Sequence, residues 1–344
     1  MRKSLLITST LLVSIAAGAT LVQAADKPAK PDAQMKAVLD ALASLNGKPI
    51  ETLTPAEARQ QPTPADAVKK VMESKGMSTD PDNSVTVTTK NVPGPLGDIP
   101  VHIYTPQGNG PFPVMVYYHG GGFVIADTKV YDATPRALAK AVNAIMVSVD
   151  YHQAPENPFP AAPNDAYAAY AWVLKNAAEF NGDPKRVAVG GESAGGNLAT
   201  VVSLMARDKK ETLPLHQLLV YPVVDGDMTR PSYKKNADAK PLNKPMMAWF
   251  FKHYAGDPAN PYALPLKAKS LKGLPPATVI AAEIDPLLSE GKAYADRLKK
   301  ENVKVTYKEY KGVTHEFFGM GAVVDQAKEA ETFAATQLKQ AFKQ

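Results

Sequence analysis

The chain has 344 residues, 45% hydrophobic and 21% charged, with 30 prolines, 22 glycines and no cysteine. Without cysteine there is no disulfide framework, no thiolate nucleophile and no zinc or iron–sulfur site built on thiolates. A chain this long buries roughly 75% of its unfolded surface, so a hydrophobic core suffices to hold it. Its net charge of +5 is too small to point to nucleic acid.

Residues 1–24 read as a secretory leader, with basic Arg2 and Lys3, an apolar stretch from Leu5 to Val22, and the small-residue site Val22-Gln23-Ala24. Cleavage after Ala24 and a periplasmic or secreted mature protein are expected. The competing reading is an uncleaved anchor, because the apolar stretch approaches the lower length for a membrane span. No later stretch is long and apolar enough to span, so no integral membrane segment is expected after leader removal.

Residues 25–82 show helical spacing in Met35–Leu45 and Pro64–Ser74, broken by Pro and Thr near 53–55 and 62–64. From Ser84 the pattern becomes alternating, in Val85-Thr86-Val87-Thr88 and again in Val101-His102-Ile103-Tyr104, with Gly and Pro between them; this predicts two paired strands. Continuous apolar runs follow at Val114–Tyr118, Ala144–Val149, Val187–Val189, Leu218–Tyr221 and Thr278–Ala282. Such runs suit strands buried on both faces, as in parallel sheets. Helical segments lie between and after them, at Pro135–Val142, Asp165–Ala178, Ala194–Ala206 and Glu290–Glu301. Alternation of strand and helix predicts a doubly wound α/β sheet with right-handed crossovers. Residues 226–262 interrupt the order, carrying Pro231, Pro241 and Pro245 and the aromatic cluster Trp249, Phe250, Phe251 and Tyr254.

Gly191-Glu192-Ser193-Ala194-Gly195 follows one of those strands and opens a helix, which is the setting a nucleophile elbow requires. Ser193 must sit at a sharp, strained turn, and a Cβ at 191 or 195 would collide with the adjoining strand and helix. The competing reading is a helix N-cap serine. Upstream, His119-Gly120-Gly121-Gly122-Phe123 follows the run Val114–Tyr118. Three glycines leave backbone N–H groups free to face an anion, and with the N–H of Ala194 they form a candidate oxyanion hole.

Six histidines are available as a base: His102, His119, His152, His216, His253 and His315. In α/β hydrolases the order is serine, acid, histidine, which leaves the last three. His216 sits close to a buried strand and His253 in the aromatic insertion, so both read as packing residues. His315 follows the strand Val303–Tyr310 through a loop beginning at Lys311, where it can face the carboxyl edge of the sheet. Asp285, three residues after the run Thr278–Ala282, is the favoured acid, with Glu283 as its near competitor.

These residues carry a resemblance. HGGGF at 119, GESAG at 191, Asp-Pro-Leu-Leu-Ser-Glu-Gly from 285 and Val-Thr-His-Glu-Phe from 313 resemble the bacterial hormone-sensitive-lipase family of carboxylesterases, as does the block Asp150–Glu156 with Phe159–Ala162 and Asp165. The likeness covers roughly residues 84–344. It implies an α/β-hydrolase fold with a catalytic domain over 83–344, capped by residues 25–82 and the insertion 226–262. Carried over by position, Ser193 is the nucleophile, His315 the base and Asp285 its partner. The N–H groups of Gly120, Gly121, Gly122 and Ala194 form the oxyanion hole, and no metal or organic cofactor is needed. Phe123, Met246, Trp249, Phe250 and Phe251 would line a substrate pocket, or else only pack cap on core. The chain departs from the family pattern at His152-Gln153, Glu192 and Ser289, none of them a triad position, and His119 reads as a loop-fixing hydrogen bonder.

The expected activity is hydrolysis of short- to medium-chain acyl esters through an acyl-enzyme. Amides, lactones and acetylated sugars are alternatives on the same triad, as is a long-chain lipase, and a non-catalytic small-molecule receptor is the alternative of a different class. An edge strand offers a route to a homodimer.

Overall fold

A computed structural model describes residues 28–344; the leader read at residues 1–24 lies outside the described residues. The first described segment forms α1 (Ala33–Ala43), the short α2 (Pro55–Ala58) and α3 (Pro64–Ser74). Asp32, Thr54 and Thr63 cap them by accepting a backbone N–H three residues on, and Pro55 and Pro64 open the second and third helices. Those residues satisfy donors that the first helical turn leaves free.

Then come the hairpin strands β1 (Val85–Gly94) and β2 (Gly97–Pro106), β3 (Phe112–Tyr118), α4 (Ala133–Val142), β4 (Ile145–Val149), α5 (Ala161–Asn176), β5 (Gly182–Glu192) and α6 (Ala194–Asp208). The chain continues through β6 (Gln217–Val220), α7 (Pro231–Lys235), α8 (Lys244–Tyr254), β7 (Ala277–Ile284), α9 (Leu288–Lys300), β8 (Val305–Thr314) and α10 (Asp325–Phe342). Strand order is β1-β2-β4-β3-β5-β6-β7-β8. Only the pairings made by β2 are antiparallel; from β4 to β8 the sheet is parallel. This is the α/β-hydrolase architecture.

Both faces of the central parallel strands are covered where the uninterrupted apolar runs lie. Along β3, Val114, Val116 and Tyr118 pack toward α5 and α6, whereas Met115 and Tyr117 pack with residues of α4 and α10. The latter cluster also takes Met35 and Val38 of α1 and Ala67 and Val71 of α3. A third cluster joins Ala58 of α2 to Met247, Trp249 and Phe250 of α8 beside Val124 and Val223, which follow β3 and β6. Arg59 ties this layer down, donating to the carbonyls of Val124 and Ala154 and to the Glu156 carboxylate.

One boundary differs from the sequence reading in a way that matters for the site. β8 runs on to Thr314, so residues 311–314 are strand rather than loop. Pairing with β7 continues past an irregularity between Ala282 and Ile284, and Ile284 faces Thr314. The Glu283 carboxylate, at that irregularity, accepts from the Gly312 N–H at 3.0 Å and from the Lys311 ammonium at 3.3 Å. His315 therefore leaves the sheet at a fixed height.

Candidate active site

Three strand ends converge. Ser193 stands between β5 and α6 with φ +55° and ψ −115°, a conformation that is strained for any residue with a side chain. It is held from both sides: its N–H donates to the Val220 carbonyl at 2.9 Å, and its carbonyl accepts from Asn197 and Val223 at 3.0 and 3.1 Å. The flanking glycines are dictated by space. A Cβ on Gly191 would lie 2.4 Å from the Tyr118 carbonyl oxygen, and one on Gly195 only 1.9 Å from it.

His315 Nε2 lies 2.9 Å from Ser193 Oγ, and His315 Nδ1 lies 2.7 Å from Asp285 Oδ2. All three side chains are buried. Asp285 is fixed in turn, since its Oδ1 accepts from the Leu287 N–H and its carbonyl from the Asn236 amide. Of the two carboxylates weighed for this place, Asp285 reaches the imidazole and Glu283 reaches the backbone of β8. Burial disfavours charging the imidazole, but the carboxylates of Asp285, Glu316 and Glu192 outweigh it and raise the His315 pKa above its ordinary value. Asp285 thus fixes a tautomer with Nε2 free to take a proton from Ser193.

The glycine loop after β3 borders the same point. Gly121 and Gly122 have φ +97° and +59°, and the Gly121 carbonyl accepts from Val124 and Ile125, which closes the turn. Among the described residues, the N–H groups of Gly120, Gly121, Gly122 and Ala194 donate to no backbone acceptor. Ala194 also opens α6, whose dipole favours negative charge there. His119 binds the loop rather than the reaction: its Nδ1 lies 2.7 Å from the Gly120 carbonyl and its ring stacks on Tyr151 at 4.4 Å.

A cavity of about 1200 Å³ opens onto Ser193, Gly121, Gly122 and His315. Its apolar lining draws Met246, Phe250 and Phe251 from α8, Leu39 and Leu42 from α1, and Val68 and Met72 from α3. Phe123 lines it as well, its ring stacked on Tyr254. Trp249 does not. A buried indole N–H needs an acceptor, and that of Trp249 finds the Leu53 carbonyl at 3.0 Å, which turns the ring toward the N-terminal segment. Trp249 packs α8 against the N-terminal segment, so the pocket-lining role that the resemblance implied for it is corrected in favour of packing alone.

The histidines set aside are structural in their contacts. His216 is buried with Nε2 2.9 Å from Thr278 Oγ1, and burial pushes its pKa down to about 4. His253 packs edge-on against Trp249. The departures from the family pattern have local partners. His152 pairs with buried Asp165 at 2.6 Å, Gln153 donates to the Ala126 carbonyl at 2.7 Å, and Ser289 shares a hydrogen bond with Ser232.

Several groups around the triad have contacts that the motif reading did not assign. Glu192 is buried between the hydroxyls of Tyr117 and Tyr221, each at 2.5 Å, and burial pushes its pKa up to about 7. The Tyr221 ring lies 4.4 Å from that of His315. A tyrosine at the end of a parallel strand was the available signal for Tyr221; Tyr131, far from any motif, gave none. Among the described residues, no three His, Asp or Glu side chains are grouped to hold a metal ion.

Glu290 of α9 lies behind Asp285 and accepts from the N–H groups of Val224 and Asp225. Burial outweighs those donors and pushes its pKa up to about 8. With an unfolded value of about 4.3, its contribution to stability is fully present below that pH and is lost as pH rises through the folded value. The Glu290→Gln variant keeps the acceptor oxygen but removes this titration. Its Tm relative to wild type should rise by several degrees between about pH 5 and about pH 8; parallel Tm profiles would refute the assignment.

An elbow serine, a histidine and acid delivered by later strand ends, and a glycine loop beside them define an α/β hydrolase. A family model described as alpha/beta hydrolase fold matches residues 115–319, and the chain belongs to that family, in its hormone-sensitive-lipase-like branch. It is similar to the carboxylic ester hydrolase LipN of Mycobacterium tuberculosis, with 41% identity over 249 residues, 70% of this chain and 66% of that one, just under two thirds. Similarity to the ethyl acetate hydrolase of Pseudomonas putida is 31% identity over 85% of this chain and 92% of the relative. The crystal structure of a thermostable esterase from Pseudomonas putida ECU1011 superposes with a TM-score of 0.82 at 36% identity, covering 91% of this chain and 98% of that one.

Proposed function

We propose that this chain, a carboxylic ester hydrolase, cleaves short- to medium-chain acyl esters through an acyl-enzyme on Ser193. The observation that carries the reading is the hydrogen-bonded line from Asp285 to His315 to Ser193, ending at a strained elbow beside free backbone N–H groups. A small-molecule receptor on the same fold would have no use for such a line.

Ser193 Oγ attacks the ester carbonyl carbon while its proton passes to His315 Nε2. Negative charge gathers on the carbonyl oxygen, where the N–H groups of Gly121, Gly122 and Ala194, with Gly120 beside them, receive it. His315 then returns the proton to the leaving alkoxide as the C–O bond breaks. Water, deprotonated by the same nitrogen, releases the acid and restores Ser193. The apolar wall from Met246, Phe250 and Phe251 supports an acyl group as its occupant. The leader-like residues 1–24 support export, so the enzyme would meet its esters in a periplasm or outside the cell.

The test combines an acyl series of p-nitrophenyl esters with trapping by a phosphonate ester. Rates should fall beyond medium chains, and the phosphonate should add one equivalent of mass to the peptide carrying Ser193. A label on another residue, or no turnover of any ester, would refute the reading.

A further inference from the structure

Glu316 follows His315 directly and has a φ of +70°, which only a few per cent of residues with a side chain adopt. That backbone turn brings its carboxylate back over the site. Both oxygens accept from the Tyr131 hydroxyl, at 2.8 and 2.7 Å. Oε1 lies 3.7 Å from His315 Nε2, the nitrogen that faces Ser193, whereas Asp285 holds the other one. Tyr131 is fixed against the glycine loop, since a Cβ on Gly120 would lie 2.3 Å from its hydroxyl oxygen. One tyrosine hydroxyl therefore sets the carboxylate beside the imidazole and marks its distance from the oxyanion loop.

The separation is informative. At 3.7 Å the carboxylate is too far to hydrogen-bond Nε2, yet close enough to attract a positive charge there. While His315 is neutral the attraction is weak; once Nε2 has taken the Ser193 proton it is strong. A group that acts only on the charged state lowers the barrier without tightening substrate binding. Because it makes no hydrogen bond, it also leaves the Nε2 proton free for the leaving alcohol.

We propose that Glu316, restrained by Tyr131, is a second carboxylate partner of His315: a positioning residue that stabilises the imidazolium from the Nε2 side during acyl transfer. The inference rests on the Ser193–His315 reading above. The other groups facing His315 are the Asp285 carboxylate, the Ser193 hydroxyl and the Tyr221 ring. Glu192 stands behind Tyr221, taking its hydroxyl proton as a hydrogen bond. Tyr117, Tyr131 and Tyr221 all have pKa values pushed well up by burial first and then by the acids, so they stay neutral donors. Charge near the imidazole thus comes from Asp285, from Glu316, whose pKa is raised by burial against the opposing pull of His315 and the Tyr131 hydroxyl, and, above about 7, from Glu192.

The test is the pH profile of p-nitrophenyl butyrate hydrolysis by the full chain. His315 must be neutral to act, so its pKa sets the acid limb of kcat/KM. Removing a neighbouring negative charge lowers that pKa, and in Glu316→Gln the acid limb should move down by about one pH unit. kcat should fall by up to about tenfold with KM within about twofold. Glu316→Asp keeps the charge and should keep the limb near its wild-type position. Should the Gln variant fold poorly at its positive φ, Glu316→Asn carries the same test, because asparagine tolerates that region better. An acid limb that stays put in the folded neutral variant, or a change in KM with kcat untouched, would overturn the proposal. Activity surviving in Ser193→Ala would instead overturn the reading it rests on, so the two failures are distinguishable.

Discussion

Ser193→Ala is expected to lower kcat/KM by about 10⁴- to 10⁶-fold while leaving the protein folded. The triad works as a unit. Without Oγ no acyl-enzyme forms, and what remains is binding and the oxyanion donors, together worth roughly 10³- to 10⁴-fold over water. Non-additivity is the sharper prediction: Ser193→Ala with His315→Ala in one chain should cost little more than either change alone, because each already disables the proton transfer. Stability should move the other way in a third variant. Ser193 holds φ +55° against its own side chain, and strain of this kind amounts to about 1–3 kcal/mol. Ser193→Gly relieves it, so that variant should be inactive and yet melt a few degrees higher than wild type. Initial rates with p-nitrophenyl butyrate and thermal unfolding followed by circular dichroism check all of these. Residual activity within a hundredfold of wild type would remove Ser193 from its assigned role.

The nucleophile, base and acid were legible because each is tied to a strand end. An elbow glycine must yield space to a neighbouring carbonyl, as Gly191 and Gly195 do to Tyr118, and that demand writes itself into the sequence as Gly-x-Ser-x-Gly. The sheet was legible for a similar reason: the stretches Val114–Tyr118, Ile145–Val149, Val187–Val189, Leu218–Val220 and Thr278–Ala282 are buried on both faces, so their residues are mostly apolar. Glu316, Tyr131 and Glu192 were not. Their roles depend on approach between residues 185 and 75 positions apart in the chain, and no local pattern encodes such distances. Trp249 fails in the opposite direction. The family resemblance placed it among the pocket aromatics, but one hydrogen bond to Leu53 decides its orientation, and the position of that carbonyl is a tertiary fact. The end of β8 was misjudged because Lys311 and Gly312 look like a loop, while pairing with β7 and the Glu283 carboxylate keep them in the strand.

Gly121→Ala should cost about 10³-fold in kcat, with KM within a few-fold of wild type. Gly121 has φ +97°, and a Cβ there would lie 2.0 Å from the Ile125 carbonyl oxygen, a backbone atom with little freedom to move. The turn closed by Val124 and Ile125 on the Gly121 carbonyl must therefore open or rotate. Either response redirects the N–H groups of residues 121 and 122 together. Each misplaced oxyanion donor costs roughly 10²- to 10³-fold, and the loss falls on kcat because the donors meet full charge only in the transition state. Gly122→Ala gives the contrast. Its Cβ would lie 2.2 Å from the Phe250 ring on α8, so the cap helix has to shift and KM should rise with the acyl chain. A Gly121→Ala enzyme with kcat within tenfold of wild type would show that the oxyanion is held elsewhere, whereas a kcat loss beside intact phosphonate labelling of Ser193 would separate the donors' contribution from the nucleophile's.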